Sequence, residues 1–151
     1  SIEKKVRAAK PKAYVTTPSK AAINALKKMS INKICLFTPY SKKLNDEVVE
    51  YFKKEDFEVT SNSYFDIESD IDIGKVDSEY LFNVLSKIDL KEADALFVSC
   101  TALPVLQLID KLEKKLNKPV LSSNQALIWD TLENIGRKVS INGFGKLFLK
   151  N

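Results

Sequence analysis

Histidine is absent from this chain of 151 residues, and glycine and cysteine are scarce, at four and two. Without histidine there is no Ser-His-Asp triad, no Cys-His dyad and no His-ligated metal site. None of the glycines falls in a G-x-G-x-x-G or G-x-x-x-x-G-K-S/T frame, which excludes the standard loops for dinucleotides and nucleoside triphosphates. Long apolar runs are missing too, so no segment is read as membrane-spanning. Ser1 to Lys12 is charged and lacks the apolar centre of a signal peptide. Two distant cysteines and no export signal lead to the expectation of a reducing cytoplasm rather than a disulfide framework.

The charge balance is mild, with 24 basic against 20 acidic residues and a net charge of +4. The lysines come in scattered pairs, Lys27-Lys28, Lys53-Lys54 and Lys114-Lys115, each within a helical pattern. They read as solvated helix faces, not as a nucleic-acid surface. The length suits one domain, which would bury roughly two thirds of its unfolded surface.

Apolar runs alternate with helical patterns along most of the chain. Residues 33–38 (KICLFT) read as a buried strand, and 42–55 as a helix with Leu44, Val48, Tyr51 and Phe52 on one face. Residues 57–63 form a second strand and 77–89 a helix capped by Asp77 or Ser78. Residues 95–99 (ALFVS) are a third strand, followed by a helix from Leu103 to Leu116. Pro119 to Ser122 is a short fourth strand, and Ser123 to Ile135 a helix that Gly136 stops. A helix over 19–29 precedes this series, with Pro18 in its first turn. Ala13 to Thr17, Lys138 to Ile141 and Lys146 to Leu149 also look strand-like. The expected fold is α/β: a parallel, four-stranded, doubly wound sheet of flavodoxin-like type.

Such sheets bind ligands beyond the carboxyl ends of their strands. Here those ends are Thr38-Pro39-Tyr40, the loop 63–74, Ser99-Cys100-Thr101 and Ser122-Ser123-Asn124. Cys100 sits between a strand and the start of a predicted helix, where unpaired N–H groups favour a thiolate and bind carboxylates. A small core residue is the competing reading, and position alone leaves both open. Cys35, mid-strand between Ile34 and Leu36, reads as core. Tyr40 offers a phenolic donor, or else packs over the sheet edge. In the run 122–124, Ser123 is the simplest helix cap, which leaves Ser122 and Asn124 available. Asp70 and Asp72 belong to an acidic loop without an EF-hand frame; a solvated loop is the plain reading for most of it, while these two lie on the strand-end side and carry a weaker functional mark. Trp129 reads as core or as a subunit contact.

Taken together, these motifs resemble the aspartate/glutamate racemase superfamily. The run FVSCTALPVLQLIDKLEKKLNKPVLSSNQALIWDTLENIG is similar to its C-terminal half. The nearest branch holds maleate cis-trans isomerases, arylmalonate decarboxylases and ectoine-utilisation racemase-like proteins. The T-P-Y segment upstream and the closing GFGKLF resemble the same branch.

That resemblance implies a cofactor-independent enzyme of two similar α/β domains, each bringing a cysteine to a shared cleft. Cys100 matches the second-domain cysteine, Thr101 and Tyr40 match carboxylate-holding residues, and Asp70, Ser122 and Asn124 match cleft positions. It also implies a domain plan. Residues 1–30 would be the tail of the first domain and a crossover helix, 31–136 the second domain with the catalytic cysteine, and 137–151 a strand segment returning to the first. Cys35 cannot stand in for the other cysteine, so a preceding domain or a partner chain is expected to supply it. The implied activity is isomerisation or racemisation beside the carboxylate of a small (di)carboxylic acid. Malonate-type decarboxylation is the enzymatic alternative, and an inert flavodoxin-like binding module the non-enzymatic one. No metal or cofactor is expected, and assembly into a homo-oligomer is left open.

Overall fold

The runs at 33–38 and 95–98 become the two central strands of one parallel sheet. The computed structural model describes residues 2–149. Its elements are α1 (Ile2–Ala9), α2 (Pro18–Lys28), β1 (Lys33–Thr38), α3 (Lys42–Lys54), β2 (Glu58–Tyr64), α4 (Asp70–Gly74), α5 (Ser78–Leu85), β3 (Ala95–Val98), α6 (Ile109–Leu116), β4 (Val120–Ser122) and α7 (Ser123–Asn134). Short 3-10 turns cover Leu106–Leu108 and Lys146–Leu149. The strand order is β2-β1-β3-β4, every pair parallel.

The two central strands are buried on both faces, which is why they read as unbroken apolar runs. Ile34, Leu36, Ala95, Phe97 and Leu121 face a layer made by α2, α3 and α7. Cys35, Phe37, Leu96, Val98 and Val120 face the opposite layer, made by α5 and α6. This is the period-two alternation of a strand.

Several helix boundaries follow from local chemistry. Thr17 caps α2 by accepting the Lys20 N–H at 3.2 Å, with Pro18 at the first helical position. Asp77 caps α5 through the Tyr80 N–H at 2.8 Å. Gly136, at φ +73°, closes α7 with the N–H of Arg137 on the Leu132 carbonyl, a Schellman arrangement.

Four expectations need correction. The helix after Cys100 does not start at Leu103. Leu103 and Val105 are both buried, an extended spacing, and the Val105 N–H turns back to the Leu103 carbonyl at 2.8 Å across Pro104. Helix begins only as a 3-10 turn at Leu106 and as α6 at Ile109. The cap of α7 is Ser122, not Ser123: Ser122 and Gln125 form a reciprocal capping box.

The inward face of α3 is Asn45, Val49 and Phe52, while Leu44 is 42% exposed. Finally, segments 13–17, 138–141 and 146–149 form no strands. The free edge of β4 is closed to them. Its outward N–H groups go to side chains, Val120 to Glu113 Oε1 at 3.0 Å and Ser122 to Gln125 Oε1 at 3.3 Å.

Those two side chains reach further and grip the C-terminal segment. Gln125 Nε2 donates to the Phe144 carbonyl at 2.6 Å, and Glu113 Oε2 accepts the Lys146 N–H at 2.9 Å. Leu147 and Phe148 are buried behind this clamp in the same core as α2 and α7. The N-terminal flank packs there as well. Asp130 of α7, 2% exposed, accepts from Tyr14 Oη at 3.0 Å and Asn24 Nδ2 at 2.8 Å.

Candidate active site

The chain leaves β1 outward to β2, then returns past β1 to β3, so the sheet reverses its winding between β1 and β3. That switch point is where doubly wound sheets open a crevice at their carboxyl ends. Tyr40 and Cys100 stand there, each two residues beyond the end of its strand. The backbone holds both in place. The Ser99 N–H extends the ladder to the Phe37 carbonyl at 2.9 Å, and the Asp66 N–H holds the Tyr40 carbonyl at 3.1 Å. The Asp66 carboxylate also accepts the Lys42 N–H at 3.2 Å, which fixes the turn around Tyr40.

The Cys100 side chain is 3% exposed and packs beside Leu103 and Val105. Its sulfur accepts the Ala102 N–H at 3.3 Å. This donor comes from a tight turn in the chain, not from a helix N-terminus as the sequence pattern suggests. Tyr40 packs against the same apolar cluster that holds Cys100. Burial, the neighbouring Cys100 and the charge of Asp70 all push the phenol well above its ordinary value. Tyr40 therefore stays protonated throughout the physiological range, ready to donate a hydrogen bond.

Thr101 is exposed at the crevice, and its carbonyl accepts Asn124 Nδ2 at 2.9 Å. Asp70 is exposed at the first position of α4 and acts on Tyr40 through its charge. Ser122 lies differently: it is fully buried and its hydroxyl takes the Gln125 N–H at 3.3 Å. Capping α7 occupies it, so a supporting place at the substrate is not what this hydroxyl provides. The structure thus brings together Cys100, Thr101, Tyr40 and Asn124, places Asp70 at the margin and sets Ser122 inside the helix cap. Cys35 is buried mid-strand, accepts Ser61 Oγ at 3.1 Å, and burial pushes its thiol up.

Sequence reasoning missed the Ala102 amide, because a backbone donor leaves no mark on residue type. It also missed the purpose of the outward stripe of α3. Leu44, Val48 and Tyr51 line a cavity of about 390 Å³, with Phe52 and Phe97 at its floor, and it opens beside Tyr40, Ser99 and Thr101. Among the described residues no group of three or more His, Cys, Asp or Glu side chains is placed to hold a metal ion. No helix among them is long and apolar enough to cross a membrane.

With this geometry in view, comparison with known proteins is decisive for the family. The family model described as arylmalonate decarboxylase matches residues 3–148. The chain belongs to that family. The maleate isomerase of Geobacillus stearothermophilus is 29% identical over 136 residues, which is 89% of this chain and 54% of the relative. The arylmalonate decarboxylase of Bordetella bronchiseptica is 26% identical, over 88% of this chain and 57% of the relative. Among solved structures, a Nocardia farcinica maleate cis-trans isomerase mutant with a covalently bound succinylcysteine intermediate superposes at a TM-score of 0.88 and 26% identity. That match covers 93% of this chain and 58% of the isomerase. The chain thus spans about half the length of the curated relatives it matches.

Proposed function

We propose that this domain is one of two cysteine-bearing halves of a cofactor-independent isomerase acting beside the carboxylate of a small dicarboxylic acid, as maleate isomerases do. The observation that carries the reading is one buried sulfur, Cys100, which accepts the Ala102 N–H at the switch point of the sheet with Tyr40 packed against the same cluster. A thiolate there keeps the Ala102 N–H as its donor, and a charge-assisted bond of this kind is among the stronger ones. In this reading Thr101 and Tyr40 hold carboxylate oxygens beside it.

Two thiol roles fit this setting. As nucleophile, a thiolate adds to one alkene carbon, and the π pair moves onto the carbon beside the far carboxylate. Rotation about the resulting single bond follows, and the same pair re-forms the double bond as the thiolate leaves. As acid/base, a thiol delivers a proton to that carbon or removes one. The succinylcysteine of the Nocardia relative formed with one cysteine replaced by serine, so it supports addition by another cysteine of that protein and is compatible with either role for Cys100. A second α/β half, carrying the other cysteine, completes the cleft in this reading.

Malonate-type decarboxylation is the second reading, favoured by one feature. The aromatic floor of the cavity next to Tyr40 and Thr101 suits an apolar substituent on the carboxylate.

The test is turnover by the whole protein that carries this domain. Maleate and an arylmalonate are offered to the native protein, to Cys100→Ser and to Cys35→Ser. Conversion of maleate to fumarate that survives Cys35→Ser and collapses at least a hundredfold in Cys100→Ser is the expected result. Full activity in Cys100→Ser would sink the proposal, and turnover of the arylmalonate alone would move it to the decarboxylase.

A further inference from the structure

The hydrogen bond at Thr101 and the hydrogen bond at Cys100 share one peptide unit. Asn124 Nδ2 holds the Thr101 carbonyl at 2.9 Å, and the N–H on the other side of the same peptide bond, that of Ala102, points at Cys100 Sγ at 3.3 Å. A trans peptide is planar, with its C=O and N–H directed oppositely. Fixing the oxygen therefore fixes the direction of the N–H. Little else holds this stretch. Between the Ser99 N–H and the Val105 N–H, this is the one hydrogen bond among those described that ties the segment to another element.

We infer that Asn124 is a positioning residue, which aims the Ala102 N–H at the Cys100 sulfur by holding the carbonyl of the same peptide plane. The inference rests on the reading of Cys100 as the reacting thiol, and it gives Asn124 a role other than contact with substrate. The bond to the carbonyl also polarises the peptide, since linked hydrogen bonds strengthen one another, and this makes the N–H a better donor to a thiolate. Asn124 is well placed for the task. It is the second residue of α7, inside the Ser122–Gln125 capping box, so its backbone is anchored by the helix start. The partner on the other side is the turn at Pro104, which keeps 101–103 out of helix and leaves the Thr101 carbonyl free to accept.

The experiment uses Asn124→Leu, which keeps the shape and removes the donor, in the whole protein with Cys35→Ala to leave Cys100 as this domain's only thiol. Alkylation of Cys100, located by peptide mapping, is followed against pH. The expected result is a midpoint higher by about half to one pH unit and a rate at pH 7 reduced about threefold to tenfold. Turnover should lose kcat with little change in KM, because the donor serves the sulfur and not the substrate. An unchanged alkylation midpoint overturns the inference, whatever happens to turnover. Loss of KM alone also overturns it, since that is the signature of a substrate contact.

Should Asn124→Leu fail to fold, the native protein still decides. The Ala102 amide proton is expected to move downfield as Cys100 ionises, and no movement refutes the shared-plane link. Failure of the broader reading looks different: Cys100→Ser would keep its activity while the Asn124→Leu alkylation shift persisted.

Discussion

Replacing Gly145 by alanine should destabilise the fold by about 2–5 kcal/mol, in two separable parts. Gly145 sits at φ +82°, a conformation that costs an L-residue about 1–2 kcal/mol. A Cβ there would also lie 2.6 Å from Ile109 Cγ2, where carbon atoms pack at about 3.5–4.0 Å. Ile109 is 0% exposed and cannot retreat without disturbing the layer beneath β4. Overpacking of that kind typically adds about 1–3 kcal/mol. The same Cβ would stand 3.1 Å from Gln125 Nε2 and 3.2 Å from Glu113 Oε1, the two groups that clamp residues 144–146.

Gly136 and Gly143 provide the controls. They have φ +73° and +87°, but an added Cβ meets nothing within 4 Å. Their alanine variants should lose only the backbone part. Urea unfolding followed by the fluorescence of Trp129, the single tryptophan, measures all three. Ile109→Leu removes the offending methyl and should recover part of the loss in the Gly145→Ala background. If Gly145→Ala costs no more than Gly136→Ala, the clash reasoning is wrong.

Other perturbations probe the buried polar groups and the margin of the site. Asp130→Ala takes the carboxylate from Asn24 and Tyr14, while Asn134 keeps the residue-130 carbonyl, and a loss of about 1–3 kcal/mol in urea unfolding is expected. Glu113 is held above its ordinary carboxyl value by burial, against the pull of the Val120 and Lys146 N–H groups. Its folded-state pKa is raised, so the contribution is whole below pH 4.5 and drains away as pH rises through the folded value. Glu113→Gln should therefore flatten the decline of stability with pH above 4.5, and an unchanged slope would contradict that sign. Asp70 places negative charge near Tyr40, which opposes an incoming carboxylate. If the proposed isomerase reading holds, Asp70→Asn should lower KM for maleate about twofold to fivefold at low salt and less at high salt. Equal effects at both ionic strengths would show that charge is not the cause.

Much of the fold was legible because its central strands carry their burial in composition. KICLFT and ALFV are apolar on both faces, and only a strand between two helical layers has a use for that. Pro18 in the first turn of α2, the cap at Asp77 and the Gly136 stop marked helix ends that the structure keeps within a residue or two. The strand-like ends of the chain were misread because propensity says nothing about whether an edge is free. Val139, Ile141 and Leu147 suit a strand, but Glu113 and Gln125 had already taken the outward N–H groups of β4. A side chain seven residues upstream on α6 decided the fate of a segment more than twenty residues downstream.

At the candidate site, residue type named the loops that gather at the carboxyl ends of the strands but not the neighbour that each side chain meets. Ser122, Ser123 and Asn124 are interchangeable polar letters in a sequence, yet each has a different neighbour in space. Ser122 faces the helix it caps, Ser123 borders the cavity, and Asn124 reaches the cysteine loop. What separates them is the starting register of α7, a single-residue matter. Had Ser123 been the cap, the helix would begin one residue later and its side chains would turn by about 100°. Asn124 would then point away from Thr101. The capping box at Ser122 and Gln125 therefore does more than end a strand: by choosing the register of α7 it selects which side chain meets the peptide beside Cys100. Moving the cap is the corresponding perturbation. Ser122→Ala weakens the box without touching the site, and it should loosen the Asn124 contact and slow Cys100 alkylation in the same direction as Asn124→Leu, by a smaller factor.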